Sequence, residues 1–199
     1  MKKKTVALLL SLVLVFGVVA GGTLAWLTQK TDSVVNTFTY GDINITLGET
    51  TGSNYKIIPG VDLKKDPKVT VLANSEACWL FVKVEENNWP DFKDGTARKV
   101  DYAIATGWTK LTGVEGVDDV YYREVAATGA TAQEFYVLAG KGTTGDLVNG
   151  VVTVSENLTK TEVNSITAGT QPTLTFTAYA VQKDGVTSVT DAWAKASAN

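Results

Sequence analysis

The chain has 199 residues, with 18 Lys and Arg against 21 Asp and Glu, a formal net charge of −3, one cysteine and no histidine. A single cysteine excludes an intramolecular disulfide framework, and the missing histidine removes the commonest general base and the commonest zinc ligand together. The mildly acidic balance argues against nucleic-acid binding, whose footprint is a basic patch or a high pI.

In chain order, the first predicted element is a targeting segment. Lys2, Lys3 and Lys4 form a positive n-region, and residues 6–20 are apolar except for Ser11 and Gly17. Gly21-Gly22-Thr23-Leu24-Ala25 then supplies the small residues that precede a signal-peptidase cut. Cleavage is therefore expected around Thr23, Leu24, Ala25 and Trp26. The alternative is a retained membrane anchor, but a spanning helix needs about 20 apolar residues and this run holds about 15. On this reading residues 1–25 are a cleaved signal helix and 26–199 the mature domain. Cleavage removes three lysines and no acid, leaving 15 basic and 21 acidic residues, a net of −6. About 174 residues remain, enough for one domain with its own core, and the charge suits a soluble exported protein.

Residues 30–35 are compatible with either a helical turn or an extended strand. Period-2 alternation then dominates. Ile43, Ile45 and Leu47 alternate with Asn44 and Thr46, and Val69, Val71 and Ala73 with Lys68 and Thr70. In the stretch 78–85, Cys78, Leu80, Val82 and Val84 share one face of a strand, while Trp79, Phe81, Lys83 and Glu85 share the other. Weaker strands are predicted over 120–125, 135–138 and 151–155. Near the end, Leu174, Phe176, Ala178 and Ala180 alternate with Thr173, Thr175, Thr177 and Tyr179. Turn dipeptides separate these runs: Pro59-Gly60, Asp66-Pro67, Asp94-Gly95, Lys141-Gly142, Asn149-Gly150, Gln171-Pro172 and Asp184-Gly185. A short helix is predicted over 188–196, with Trp193 packing back on the sheets. Many short strands at this spacing predict an all-β fold, a single antiparallel β-sandwich with a short C-terminal helix.

Nothing in the linear sequence forms a catalytic motif. Nucleophilic catalysis of the Ser-His or Cys-His type lacks its base, and Cys78 on the apolar face of a strand reads as a small buried hydrophobe. Glu85-Glu86, Asp118-Asp119 and Asp91 with Asp94 are the carboxylate pairs. Adjacent strand residues point to opposite faces, and Asp118-Asp119 lacks the spacing of a calcium loop, so solvated charge is the expected role of each. Trp79, Phe81, Trp89, Trp108, Tyr121, Tyr122 and Trp193 read as core or cross-strand packing ahead of a sugar platform. No cofactor or metal is expected.

Three segments together resemble the TasA/camelysin family of secreted matrix proteins from Gram-positive bacteria. The first is Gly21-Gly22-Thr23-Leu24-Ala25-Trp26-Leu27-Thr28 with Asn36-Thr37-Phe38-Thr39-Tyr40-Gly41-Asp42-Ile43-Asn44-Ile45-Thr46-Leu47. It matches the pattern of a Gly-Gly-Thr-x-Ala signal end followed by N-x-F-x-x-G-x-[IL]-x-[IL]. The second is Ile58-Pro59-Gly60 with Val71-Leu72-Ala73-Asn74-Ser75 and the strand from Trp79 to Val84. The third is Leu174-Thr175-Phe176-Thr177-Ala178-Tyr179-Ala180-Val181-Gln182. Residues 87–170 match nothing in the family pattern. Just past the cleavage region, Leu27-Thr28-Gln29-Lys30 departs from the aromatic-polar-acidic run that many members carry. The metalloprotease label of some relatives does not transfer to a chain without histidine.

The resemblance implies a jelly-roll-like sandwich exported through a SipW-type signal peptidase. It would meet the membrane only transiently and assemble with itself and other matrix proteins into extracellular fibres, a biofilm matrix or a cell-surface layer. A sandwich leaves strand edges with which an extended segment of another chain can pair. The segment freed by cleavage is the expected donor: Leu27, Thr28, Gln29, Lys30, Thr31, Asp32, Ser33, Val34 and Val35, within a longer 26–40 stretch. The alternative is a monomeric adhesin or carbohydrate-binding module that uses Trp89 or Trp108. A hydrolase would need distant carboxylates meeting at ~5–10 Å.

Overall fold

A computed structural model describes residues 41–52, 54–141 and 146–198, all within the compact unit Tyr40–Asn199. The signal segment, the cleavage region at 23–26, the donor segment at 27–35 and Gly142 of the turn Lys141-Gly142 lie outside the described residues.

The all-β architecture with a short C-terminal helix is observed. At its centre lies β4 (Cys78–Asn87), whose residues from Cys78 to Val82 are all buried. Aromatic and β-branched residues favour a pleated surface, and this strand carries them on both sides. It is flanked by β15 (Thr173–Gln182), which pairs antiparallel over all ten residues, from Thr173 opposite Asn87 to Gln182 opposite Cys78. Its other neighbour is β10 (Val120–Val125), which is followed by the short β9 (Thr109–Lys110). The first sheet therefore runs β15-β4-β10-β9.

The facing layer consists of three smaller antiparallel sheets. β3 (Lys68–Val71) lies between β1 (Ile45–Gly48) and β11 (Gln133–Tyr136). β12 (Leu138–Lys141) lies between β8 (Ala103–Ile104) and β13 (Leu147–Asn149). β14 (Val151–Val154) lies between β2 (Leu63–Lys64) and β7 (Val100–Asp101). A hairpin of β5 (Lys93–Asp94) and β6 (Ala97–Arg98) stands apart. Val69, Val71, Val100, Val137, Leu138, Val152 and Val154 from this layer pack against Cys78, Leu80, Val82 and Val84 to form the main core. The face assignment read from the alternation of 78–85 is thus the observed one.

A third layer covers the outer face of the first sheet. Helix α2 (Val189–Ala196) is capped by Ser188, whose hydroxyl accepts the Asp191 N–H. Its Ala192, Trp193 and Ala196 bury against Trp79, Phe81, Leu111 and Val120. The Trp193 ring lies 5.4 Å from Phe81 and 5.3 Å from Tyr179, centroid to centroid. Both faces of β4 are consequently dry from Cys78 to Val82.

Two of the differences from expectation have a clear local cause. The strand predicted over 135–138 is divided at Val137, because its main chain leaves the ladder: its N–H donates to Pro67 O and its carbonyl accepts from Ala105 N, both at 2.9 Å. The two halves, β11 and β12, thereby join different sheets. A second helix, α1 (Lys160–Ser165), was missed. Its signal is a capping box in which Thr159 Oγ1 accepts the Glu162 N–H while the Glu162 carboxylate accepts the Thr159 N–H, the S/T-x-x-E pattern of a helix start.

Candidate functional site: a cleft beside the last strand

β1 and β15 lie in opposite sheets and pack against each other along one side of the sandwich. Next to them opens a cleft of ≈ 890 Å³. Its apolar lining comes from Leu47 of β1, Leu63 of β2, Val152 of β14, Val163 of α1, and Leu174 and Phe176 of β15, with Trp89 and Val100 deeper in. Leu174 and Phe176 belong to the inward face of β15 yet are only half-buried. Among the described residues, β15 is paired along one side alone.

One lip of the cleft is the connection after β1. The Asp66 carboxylate accepts the N–H groups of Thr50 (3.0 Å) and Thr51 (3.1 Å) and both of their hydroxyls. Lys65 bonds Glu49 at 2.5 Å, and its ammonium lies 5.3 Å from the centroids of both the Tyr55 and Phe176 rings, within cation–π range. Partial desolvation pushes the Asp66 carboxyl up, but the four hydrogen bonds from Thr50 and Thr51 outweigh it and bring the pKa down to about 2. A carboxyl at 3.8 in the unfolded chain and about 2 in the folded one stabilises the fold above about pH 4 and loses that contribution as pH falls through 2. Between pH 5 and 2, the thermal midpoint is therefore expected to fall less steeply for Asp66→Asn than for the parent. Equal slopes would show that the clasp carries no stability.

The other lip is α1 and the turn after it, with Val163 and Ile166 facing the cleft. No residue of α1 is fully buried. Its Glu162 accepts the Thr159 N–H at 2.7 Å and two bonds from the Lys99 ammonium at 3.0 and 3.1 Å. Those bonds, with Thr159 first, hold its pKa at about 2. Deeper in, the Trp89 indole N–H donates to Val100 O (3.3 Å), and its ring meets Tyr102 edge-on at 5.5 Å. Tyr102 donates to Glu86 (2.9 Å), which also accepts from Arg98. Burial and that bond push the Tyr102 phenol well above its usual range.

The carboxylates singled out in the sequence do not converge. Glu85 pairs with Lys83, Glu86 with Arg98, Asp119 with Lys110 and Asp91 with Lys93, while Asp94 accepts from Asn157. Among the described residues, no group of three His, Cys, Asp or Glu could hold a metal ion. Cys78 is fully buried, and burial pushes its thiol up to about 11. The aromatic residues divide between two cores. Trp79, Phe81 and Tyr122 lie under α2 against its own Trp193, and Trp89, Trp108 and Tyr121 lie against the main core. The Trp108 indole N–H is turned inward to Tyr136 O at 2.8 Å. Trp89 and Trp108 are both half-buried, and Trp89 lines the cleft.

The cleft lips were not foreseen. Asp66 and its threonines are 15 and 16 residues apart, so no local spacing announces them; only the Thr159–Glu162 box was open to detection. The surroundings supply a slot with an apolar wall and polar lips, beside an edge of main-chain donors and acceptors, the chemistry that takes up an extended strand. Searches of family models, curated proteins and solved structures find no match to this chain.

Proposed function

We propose that the mature chain is a secreted structural subunit that polymerises by strand addition. It would act as a fibre-forming or accessory component of an extracellular matrix or cell surface, released by a SipW-type signal peptidase and without catalytic activity. The observation that carries the reading is β15, a ten-residue strand paired on one side among the described residues and bordered by a cleft of mixed lining into which its Leu174 and Phe176 face. A long edge of this kind is a template for pairing with another chain. Segment 26–40 supplies a donor of sufficient length, since ten residues of strand span about 33 Å. A contact between one subunit's donor and the next subunit's edge is heterologous and does not close, so it propagates as a filament. The resemblance at both ends of the chain points to the same role.

The test compares the mature protein beginning at Trp26 with one beginning at Gly41, by light scattering and negative-stain microscopy. Filaments are expected from the first and monomers from the second. Filaments from both would remove the donor role of 26–40. A monomer at every concentration, with binding on a glycan array, would replace the proposal by the adhesin reading.

A further inference from the structure

Of the two arginines in the chain, Arg98 donates to both oxygens of Glu86, at 2.9 and 3.2 Å. Arg123 has no ion pair and no hydrogen bond among the described residues, and its Nε is buried. It lies on the inward face of β10 with Tyr121 and Val125, opposite Leu80 of β4. On the other side the ladder to β9 sets Tyr121 opposite Lys110 and Tyr122 opposite Thr109, which brings Trp108 next in line. The guanidinium carbon stands 3.8 Å from the centroid of the Phe135 ring and 5.4 Å from that of Trp108. At 3.8 Å no N–H can point at the Phe135 ring, so the two planes are stacked.

Burial penalises a charge that no acid compensates, and ring contacts return only part of that loss. The acids nearest in sequence are committed elsewhere: Glu124 alternates to the outward face and bonds Lys183, and Glu134, next to Phe135, bonds Lys68. Burial alone acts on the Arg123 guanidinium, drawing its pKa down, whereas the bond to Glu86 raises that of Arg98. The free end of Arg123 meets the turn Thr106-Gly107, where both residues are exposed. A Cβ on Gly107, whose φ is +94°, would stand 3.1 Å from Nη2 and 3.3 Å from Nη1. Glycine therefore leaves the outer edge of the fork uncovered on that side.

We propose that Arg123, backed by Phe135 and Trp108 and opening beside Gly107, binds the carboxylate of a uronic-acid unit in an acidic polysaccharide. This site is independent of strand addition, because β4 separates β10 from β15. A stacked guanidinium presents its donors in its own plane, the geometry that a planar carboxylate meets with two parallel bonds. The site holds one positive charge, since Lys110, Lys68 and Lys183 beside it are each paired with an acid. One charge suits a carboxylate ahead of a phosphate monoester, which carries about two negative charges at neutral pH. The mouth is uncharged, a hydroxyl-bearing turn next to the half-buried Trp108 ring. An indole packs against the C–H face of a sugar ring, and a polymer of uronic acids brings one carboxylate on each ring.

Calorimetric titration of the mature protein tests the site, in about 0.15 M salt to screen the chain's net negative charge. The probes are polygalacturonate, its fully methyl-esterified form and poly-glutamate, and the first is expected to bind far more tightly than the other two. Arg123→Met should lower affinity for polygalacturonate about ten- to a hundredfold, the loss of a charge-assisted contact. Without polysaccharide its thermal midpoint should equal or exceed the parent's, because an apolar side chain replaces an uncompensated buried charge. Should this variant melt lower, the comparison passes to Arg123→Lys, which keeps the charge and loses the planar fork. A severalfold loss of affinity is then expected, and parent affinity would overturn the role of the fork. Unchanged binding by Arg123→Met, equal binding of the methyl ester, or no binding of polygalacturonate by the parent would each overturn the site. Equal affinity for poly-glutamate would overturn the sugar assignment in favour of an acidic peptide.

Discussion

Phe81→Ala is expected to lower the unfolding free energy by about 3–5 kcal/mol, the range for truncating a fully buried aromatic. Phe81 is completely buried at the middle of β4, with Trp193 at 5.4 Å and Tyr122 at 6.4 Å. Its ring is where the first sheet meets α2, so its removal leaves a cavity that a two-turn helix must collapse into or leave. Against a total stability of about 5–15 kcal/mol for a domain, this is a large fraction. The measurement is a urea melt followed by tryptophan fluorescence, because Trp79 and Trp193 share the cluster. A loss under about 1 kcal/mol would contradict a packed outer layer, since cavity creation in a core costs more than that.

Gly140→Ala is the second large effect. Gly140 pairs with Val148 in β12 and lies against β14, where a Cβ would stand 2.7 Å from Val151 O and 2.8 Å from Thr153 Oγ1. Neither neighbour yields easily, because one is main chain and the other is held by its bond to Lys141 O at 2.8 Å. The two strands have to separate by several tenths of an ångström. Overpacking of this kind costs about 1–3 kcal/mol, and the expected loss lies at the upper end. Chemical denaturation of the variant decides it, and stability equal to the parent would mean that the strands do not meet at Gly140.

The two changes differ in how far the sequence announced them. Phe81 stands in a run where alternation identifies both faces of a strand, and burial of the inward face follows from composition alone. That the outward face is also dry depends on α2 returning to it. The turn at Asp184-Gly185 and Trp193, a large apolar group seeking cover, made that helix legible, while its Ser188 cap came from the structure. Gly140 carries no such mark. Its demand for a hydrogen in place of a side chain arises only because β12 and β14 cross at close quarters. The same holds for the two-residue strands of the facing layer, which are too short to display a period.

What the sequence by itself determined is the chain's local bias: β-alternation at 43–47, 68–73, 78–85 and 173–180, a short helix at 188–196, turns at Pro59-Gly60 and Asp184-Gly185, and a chemistry without histidine. These depend on neighbours a few positions apart, which linear order preserves. The tertiary structure alone decided that β4 and β15 pair over ten residues, that Val137 divides one strand between two sheets, and that Asp66 and Glu162 hold the lips of a cleft beside Phe176. Such contacts join residues from 15 to about a hundred positions apart. Which of them forms is selected by how the sheets share one core, and no short window of residues carries that information.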